Sequence, residues 1–299
     1  MSALNLLRLL LLAALWGGSF LFMRVVAPEL GALMTAFLRV ALGALGLWLI
    51  VLLMRVPMGY RGLLRPALVV GALNSGLPFL LFSTAATVLP AGYSAILNAT
   101  TPMMAAVIGY AAFGERLGGL RLVGLLLGLA GVAVLTRIGP ATLDAPVLAG
   151  VGACLAATAC YAWAGFLTRR WITEKGGLDS RLVALGSQLG AVAMLLPLAA
   201  GQQLLRPVVW NSVPAMAWLA LLLLGLLCTA WAYVLYFQLI ADVGPLKALS
   251  VTFLIPLFGV LWGGWFLDEE ITVAHAAGGG LIALALWCVL RPPAAREVP

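Results

Sequence analysis

Residues 102–124 read PMMAAVIGYAAFGERLGGLRLVG, and residues 256–278 read PLFGVLWGGWFLDEEITVAHAAG. Laid together at a shift of 154, they bring Pro102 onto Pro256, Gly109 onto Gly263, Glu115 onto Glu269 and Gly124 onto Gly278 without a gap. Carried toward the N-terminus, the shift sets Gly71 on Gly225, Leu81 on Leu235 and Phe82 on Tyr236. A weaker echo joins Leu12-Ala-Ala-Leu-Trp16 to Ala157-Thr-Ala-Cys-Tyr161, followed eight residues later by Arg24 and Arg169 respectively. Leu and Ala match cheaply in an apolar chain, but a mid-span Pro and a loop Glu recurring in register do not. The sequence therefore divides into two halves, 1–140 and 146–291, with a tail at 292–299.

The medium of these halves follows from composition. Of 299 residues, 64% are hydrophobic and 9% charged, with mean hydropathy +1.13. Globular chains carry about 25% charged residues, so this one cannot cover a water-facing surface. That excludes soluble, disordered and coiled-coil classes and leaves an all-α integral membrane protein. A spanning helix needs about 20 mostly apolar residues. Ten such runs lie near 5–26, 31–54, 67–89, 91–113, 121–137, 146–168, 182–201, 213–241, 246–266 and 274–290, the fifth and tenth being short. The first continues past Trp16 to Met23 without an A-x-A cleavage pattern and reads as a retained helix.

Lys and Arg near span ends set orientation. With the N-terminus inside, the cytoplasmic face collects Arg8, Arg55, Arg61, Arg65, Arg116, Arg121, Arg169, Arg170, Lys175, Arg181, Lys247, Arg291 and Arg296. The other face holds only Arg24, Arg137 and Arg206, so both termini are expected in the cytoplasm. The net charge of +7 is thus spread over one membrane face, which gives no nucleic-acid patch. Five spans per half is an odd number, so the halves enter the membrane in opposite senses. Inverted repeats of this kind are a recurrent transporter design, in which two similar halves exchange conformations about a central cavity.

Polar groups in such a bundle belong on faces turned to protein or to a cavity. Ser75, Phe79 and Phe82 share one helix face, and Thr229, Tyr233 and Tyr236 repeat it in the eighth span. Ser94, Asn98 and Thr101 form a second stripe, with Asn98 matched by Thr252. Trp16 and Ser19, with Tyr161 and Trp163, complete the candidate substrate-binding lining. Such a stripe serves plain packing as readily as a cavity wall; its recurrence in both halves favours the wall. Pro102 and Pro256 are expected to kink their helices. The freed carbonyls then face substrate, or the bends only shape the bundle.

The absences narrow the chemistry. Glu29, Glu115, Asp144, Glu174, Asp179, Asp242, Asp268, Glu269, Glu270 and Glu297 all fall in loops or near span ends, so no carboxylate is expected at mid-membrane. Coupling through a buried acid is disfavoured, and small neutral or zwitterionic cargo is favoured over phosphorylated cargo. Arg39 is the one deep cation, open to a functional role or to bonding backbone carbonyls at a helix end or kink. Cys154, Cys160, Cys228 and Cys288 lie in apolar runs without metal spacing, and His275 reads as a capping residue. No HExxH, GxSxG or P-loop is present, so neither catalytic residue, metal nor cofactor is expected. Gly124-x-x-x-Gly128 and Gly259-x-x-x-Gly263 fit close helix packing.

Taken in order, Trp16-Gly-Gly-Ser-Phe20, Arg39, Pro102, Gly114-Glu115-Arg116 and Gly124 resemble the EamA-type drug/metabolite transporters over nearly the whole chain. Within that family the chain looks most like the YddG-type aromatic amino-acid exporters. The resemblance implies ten transmembrane helices as two inverted five-helix repeats around a central cavity, in the bacterial inner membrane. It implies alternating-access export of aromatic and large apolar amino acids and related small metabolites. Other neutral metabolites or drugs are the alternative cargo, and a membrane-embedded lipid-modifying enzyme is a distant second class. Asp268-Glu269-Glu270 departs from the first half's Gly-Glu-Arg. The partners implied are a small-molecule substrate and the lipid bilayer, and a self-contained ten-helix repeat is compatible with a monomer. The orientation predicts that alkaline phosphatase fused after Val208 is active and fused after Pro57 is inactive. The reverse pattern would invert the topology.

Overall fold

The computed structural model describes residues 2–115, 117–138, 144–244, 248 and 250–290. Arg116, Lys247, Arg291, Arg296 and the 292–299 tail lie outside the described residues, as does the side chain of Arg137. Every regular element among the described residues is helical. Hydrocarbon offers a backbone amide no partner, so spanning segments satisfy their own N–H and C=O groups as helices.

In chain order these are α1 (Ala3–Leu30), α2 (Ala32–Leu53), α3 (Leu64–Gly71), α4 (Leu77–Ala86), α5 (Ala91–Asn98) and α6 (Thr101–Phe113). There follow α7 (Gly119–Ile138), α8 (Ala145–Trp171), α9 (Ser180–Leu205), α10 (Ala215–Leu222), α11 (Ala232–Val243), α12 (Val251–Leu267) and α13 (Val273–Leu290). Counting α3–α4, α5–α6 and α10–α11 each as one rod, 8 helices are long and apolar enough to cross a membrane. Two shorter apolar helices, Gly119–Leu135 and Val251–Leu267, stand at the fifth and ninth predicted spans. The tenth, expected to be short, has 18 residues, whereas α12 has 17 among the described residues.

Three rods depart from regular α-helix, each for a local reason. Between α3 and α4, Ala72–Gly76 is a π turn. Pro78 has no N–H to return to Asn74, and the ladder widens just before it, Leu77 N–H reaching the Ala72 carbonyl. Between α10 and α11, Leu223–Trp231 is also π-helical. No proline is involved there; the Thr229 hydroxyl donates to the Leu224 carbonyl at 2.9 Å. The first π turn falls within the second at the 154 shift. The α5–α6 rod breaks at Ala99–Thr100, because Pro102 cannot donate to the Asn98 carbonyl. Thr101 Oγ1 donates to that carbonyl instead at 2.8 Å, so the freed group is satisfied locally and is not offered to a cargo. Pro256 differs: α12 continues through it.

Helices in lipid gain little from hydrophobicity and associate through close packing. Glycines supply it here. A Cβ at Gly131 would stand 2.9 Å from the Gly278 carbonyl, and one at Gly278 the same distance from Gly131, which locks α7 to α13. Between α3 and α9, Gly71 abuts the Ser187 backbone and Gly190 abuts the Leu68 backbone. Gly17 seats α1 against α12, where a Cβ would lie 2.9 Å from the Gly259 nitrogen. The two halves also end their fourth and ninth rods alike. Gly114 (φ 69°) and Asp268 (φ 52°) are both left-handed, with Glu115 N–H donating to Gly109 and Glu269 N–H to Gly263. Glu269 then caps α5, accepting from Ala91 N–H at 2.7 Å and Gly92 N–H at 3.3 Å.

The α3–α9 contact gives a stability test. Gly190→Ala places a methyl on the Leu68 carbonyl and is expected to cost about 1–3 kcal/mol, read as a lowered melting temperature in detergent. Gly152→Ala, with open space around it, is expected to be neutral or slightly stabilising. Equal melting of both variants would contradict this packing.

Candidate functional site

A cavity of about 270 Å³ lies between α1, α2, the two π-turn rods, α5–α6, α8 and α12. This is just under the ~300–1,000 Å³ of ligand pockets and is room for one small molecule. Among the predicted residues, Trp16, Ser19, Phe79, Phe82, Asn98, Thr101, Tyr161, Thr229, Tyr233, Tyr236 and Thr252 line it. The rings form two walls. Trp16 meets Tyr236 at 5.2 Å, while Phe20 packs edge-on to Phe82 at 5.4 Å and Phe82 faces Tyr161 at 6.1 Å. A larger groove of about 720 Å³ on α1, α10 and α12 is lined almost wholly by apolar side chains and has no comparable polar set.

Ser75 and Trp163 are not brought to the cavity. Ser75 is fully buried at the α9 interface, accepting from Gln188 Nε2 at 2.9 Å and sharing a 3.3 Å hydrogen bond with Ser187 Oγ. Trp163 is 38% exposed and packs on Phe113 at 5.3 Å. The helix period explains this: two residues apart is about 200° around the axis, so Tyr161 inward puts Trp163 outward. Pro102 and Pro256 are likewise absent from the wall, and Pro256 borders a separate outer groove with His275. Ser94, on the Asn98 stripe, is buried away from the cavity.

Sequence reading missed Phe20, Met23, Asn74, Cys228 and Ile255, all of which line the cavity. The signals were available. Phe20 and Met23 continue the face of Trp16 at i+4 and i+7. The 154 shift pairs Asn74 with Cys228 and Thr101 with Ile255, but Asn74, Cys228 and Ile255 carry neither a ring nor a hydroxyl.

Arg39 also lines the cavity and is 4% exposed. Its Nε donates to Thr229 Oγ1 at 3.2 Å, its Nη1 to Met23 Sδ at 3.3 Å, and its guanidinium carbon sits 3.6 Å above the Phe79 ring centroid. No backbone carbonyl is among these partners, so the helix-end role weighed from sequence is not what the geometry holds. Nearer the helix ends, charges pair with charges: Arg8 with Asp242 at 2.5 Å, and Arg181 with Asp179 at 2.6 Å. The Arg181 hydrogen bond holds the Asp179 carboxyl below its usual range. His275 closes its helix start, its Nδ1 accepting from Thr272 N–H at 3.2 Å. The four cysteines are free, and no group of three His, Cys, Asp or Glu able to hold a metal occurs among the described residues.

Comparison with known proteins agrees with this architecture. The model of the EamA-like transporter family matches residues 4–137 and again 148–291. The uncharacterized transporter YvbV of Bacillus subtilis is 28% identical over 95% of this chain and 90% of its own. An uncharacterized transporter of Archaeoglobus fulgidus is 28% identical over 91% of this chain and 92% of its own. A crystal structure with 21% identity superposes with a TM-score of 0.62 over 96% of each chain, a likeness of fold. These relatives carry no aromatic-exporter assignment, so that narrower resemblance is not among the findings.

The opposite aspects of Tyr161 and Trp163 set a test of the cavity. For any cargo the protein carries, Tyr161→Ala is expected to cut transport at least tenfold and Trp163→Ala to change it less than twofold, measured in proteoliposomes at matched protein density. A larger effect at Trp163 would move the site off this wall.

Proposed function

This chain belongs to the EamA-like transporter family, a membrane carrier of small molecules, and we propose that it exports aromatic and large apolar amino acids from the bacterial cytoplasm by alternating access. The observation that carries the reading is the cavity itself, one small-metabolite volume walled by Trp16, Phe20, Phe82, Tyr161 and Tyr236. Ring faces stack on an aromatic side chain. The Asn98, Thr101 and Thr252 side chains offer neutral hydrogen bonds to its polar end.

Alternating access rests on the relation between halves. Contacts come in exchanged pairs: α1 packs on α12 as α8 packs on α5–α6, and α9 packs on α3 as α2 packs on the second π segment. That exchange supports reading ten spans as two inverted five-helix repeats. The Lys and Arg distribution favours a cytoplasmic Glu115 turn and cytoplasmic termini, with the Glu269 turn outside. Glu269 is engaged on α5. Glu115, its counterpart, is 41% exposed at the side chain, with Arg121 3.9 Å away. We read the structure as closed at the outer face, the exchanged state being the one that releases cargo there.

Counterflow into proteoliposomes of labelled phenylalanine, leucine and threonine, with and without a pH gradient, tests this. Phenylalanine and leucine are expected to exchange well above threonine. The gradient is expected to change nothing, since no carboxylate among the described residues lines the cavity. Counterflow of none of the three overturns the amino-acid cargo and leaves other neutral metabolites or drugs as the reading.

A further inference from the structure

We propose that Arg39 is the anchor for a single carboxylate on the cargo. The inference rests on the cavity being the cargo site, and it names the chemical class that site selects. An arginine keeps its charge in any protein environment, and its guanidinium carries five N–H donors. The partners this guanidinium has are one hydroxyl, one thioether and one ring face, on Thr229, Met23 and Phe79. All three are neutral. Among the described residues no Asp or Glu lines the cavity, and none of the ion pairs includes Arg39. A charge held in a low-dielectric interior without an opposite charge is costly and is kept where it has a use.

The three contacts hold the group as a tool is held. Phe79 supports one face of the guanidinium plane, and Thr229 fixes the Nε edge. A planar fork so oriented suits a carboxylate, which takes two parallel N–H···O bonds and supplies the missing charge. The match is one to one. A phosphate dianion would leave negative charge unmatched, a cationic amine would be repelled, and a neutral molecule would leave the guanidinium uncompensated. Zwitterionic amino acids and simple aromatic acids share the required group. The acid fits the charge balance better, because the cavity wall carries no anion for an ammonium.

The test is equilibrium dialysis on the purified full chain with four labelled probes of one shape: phenylalanine, 3-phenylpropionate, 3-phenylpropionamide and phenethylamine. Wild type is expected to bind the two carboxylates at least tenfold tighter than the amide, and the amine not at all. Arg39→Gln is expected to abolish that preference, and Arg39→Lys to keep part of it. Should Arg39→Gln fail to fold, the wild-type carboxylate-to-amide ratio decides alone. A ratio near one, or carboxylate affinity unchanged in Arg39→Gln, overturns the proposal. Binding of 3-phenylpropionate without phenylalanine keeps the Arg39 anchor and removes the amino-acid cargo. Binding of the amide or amine alone removes the anchor and keeps a cargo cavity.

Discussion

Hydrocarbon gives no hydrogen bonds, and most of this structure answers that one fact. Backbone groups close on themselves as helices, and where a proline or a polar side chain breaks the ladder the repair is local. Thr101 takes the carbonyl that Pro102 leaves free, and Thr229 takes one in the second π segment. Because lipid competes equally well for apolar side chains, helix contacts are won by backbone proximity at Gly71, Gly131, Gly190 and Gly278. The polar residues that remain turn inward. Some meet across a helix interface, as Gln188 Nε2 does in donating to Ser75 Oγ, and others face the cavity.

Much of this could be read from the chain because the halves constrain each other. A shift of 154 found Phe79 with Tyr233 and Phe82 with Tyr236, and both pairs reach the cavity. It also joins Asn74 to Cys228, which chemistry-led reading overlooked because neither belongs to an aromatic or hydroxyl stripe. The shift carries no information about rotation, however. Ser75 lies one residue from Asn74 and Trp163 two from Tyr161, and those steps of about 100° and 200° turned both away. The tenth span, expected over 274–290, is helical over Val273–Leu290. The mismatch of Gly114 with Asp268 looked like a break in the repeat. In space both residues take the left-handed turn, which Asp accepts more readily than most side chains because its short carboxylate can hydrogen-bond locally.

The cavity draws part of its wall from the least regular parts of the helix framework. The helix framework is shared with a solved structure at 21% identity, whereas part of the cavity wall is set on this framework's irregular places. Thr229, Cys228 and Asn74 all stand on π turns. A widened turn rotates the side chains that follow it relative to a regular helix, so inserting or losing one re-aims the wall without repacking the bundle. Arg39 gains its orientation from such a position, through Thr229.

The Glu269 bonds to α5 carry a consequence for resting populations. Hydrogen bonds to a charged group are worth about 1.5–3 kcal/mol each, and Glu269 makes two of them at the start of α5. For a carrier whose halves exchange, one such bond that has no replacement in the other conformer would skew the empty protein about tenfold, since 1.4 kcal/mol is a factor of ten. The cargo then has to bind the minor conformer more tightly by a similar factor to be carried through. A carrier biased in this way waits with its site presented to one compartment, and it leaks little when unloaded.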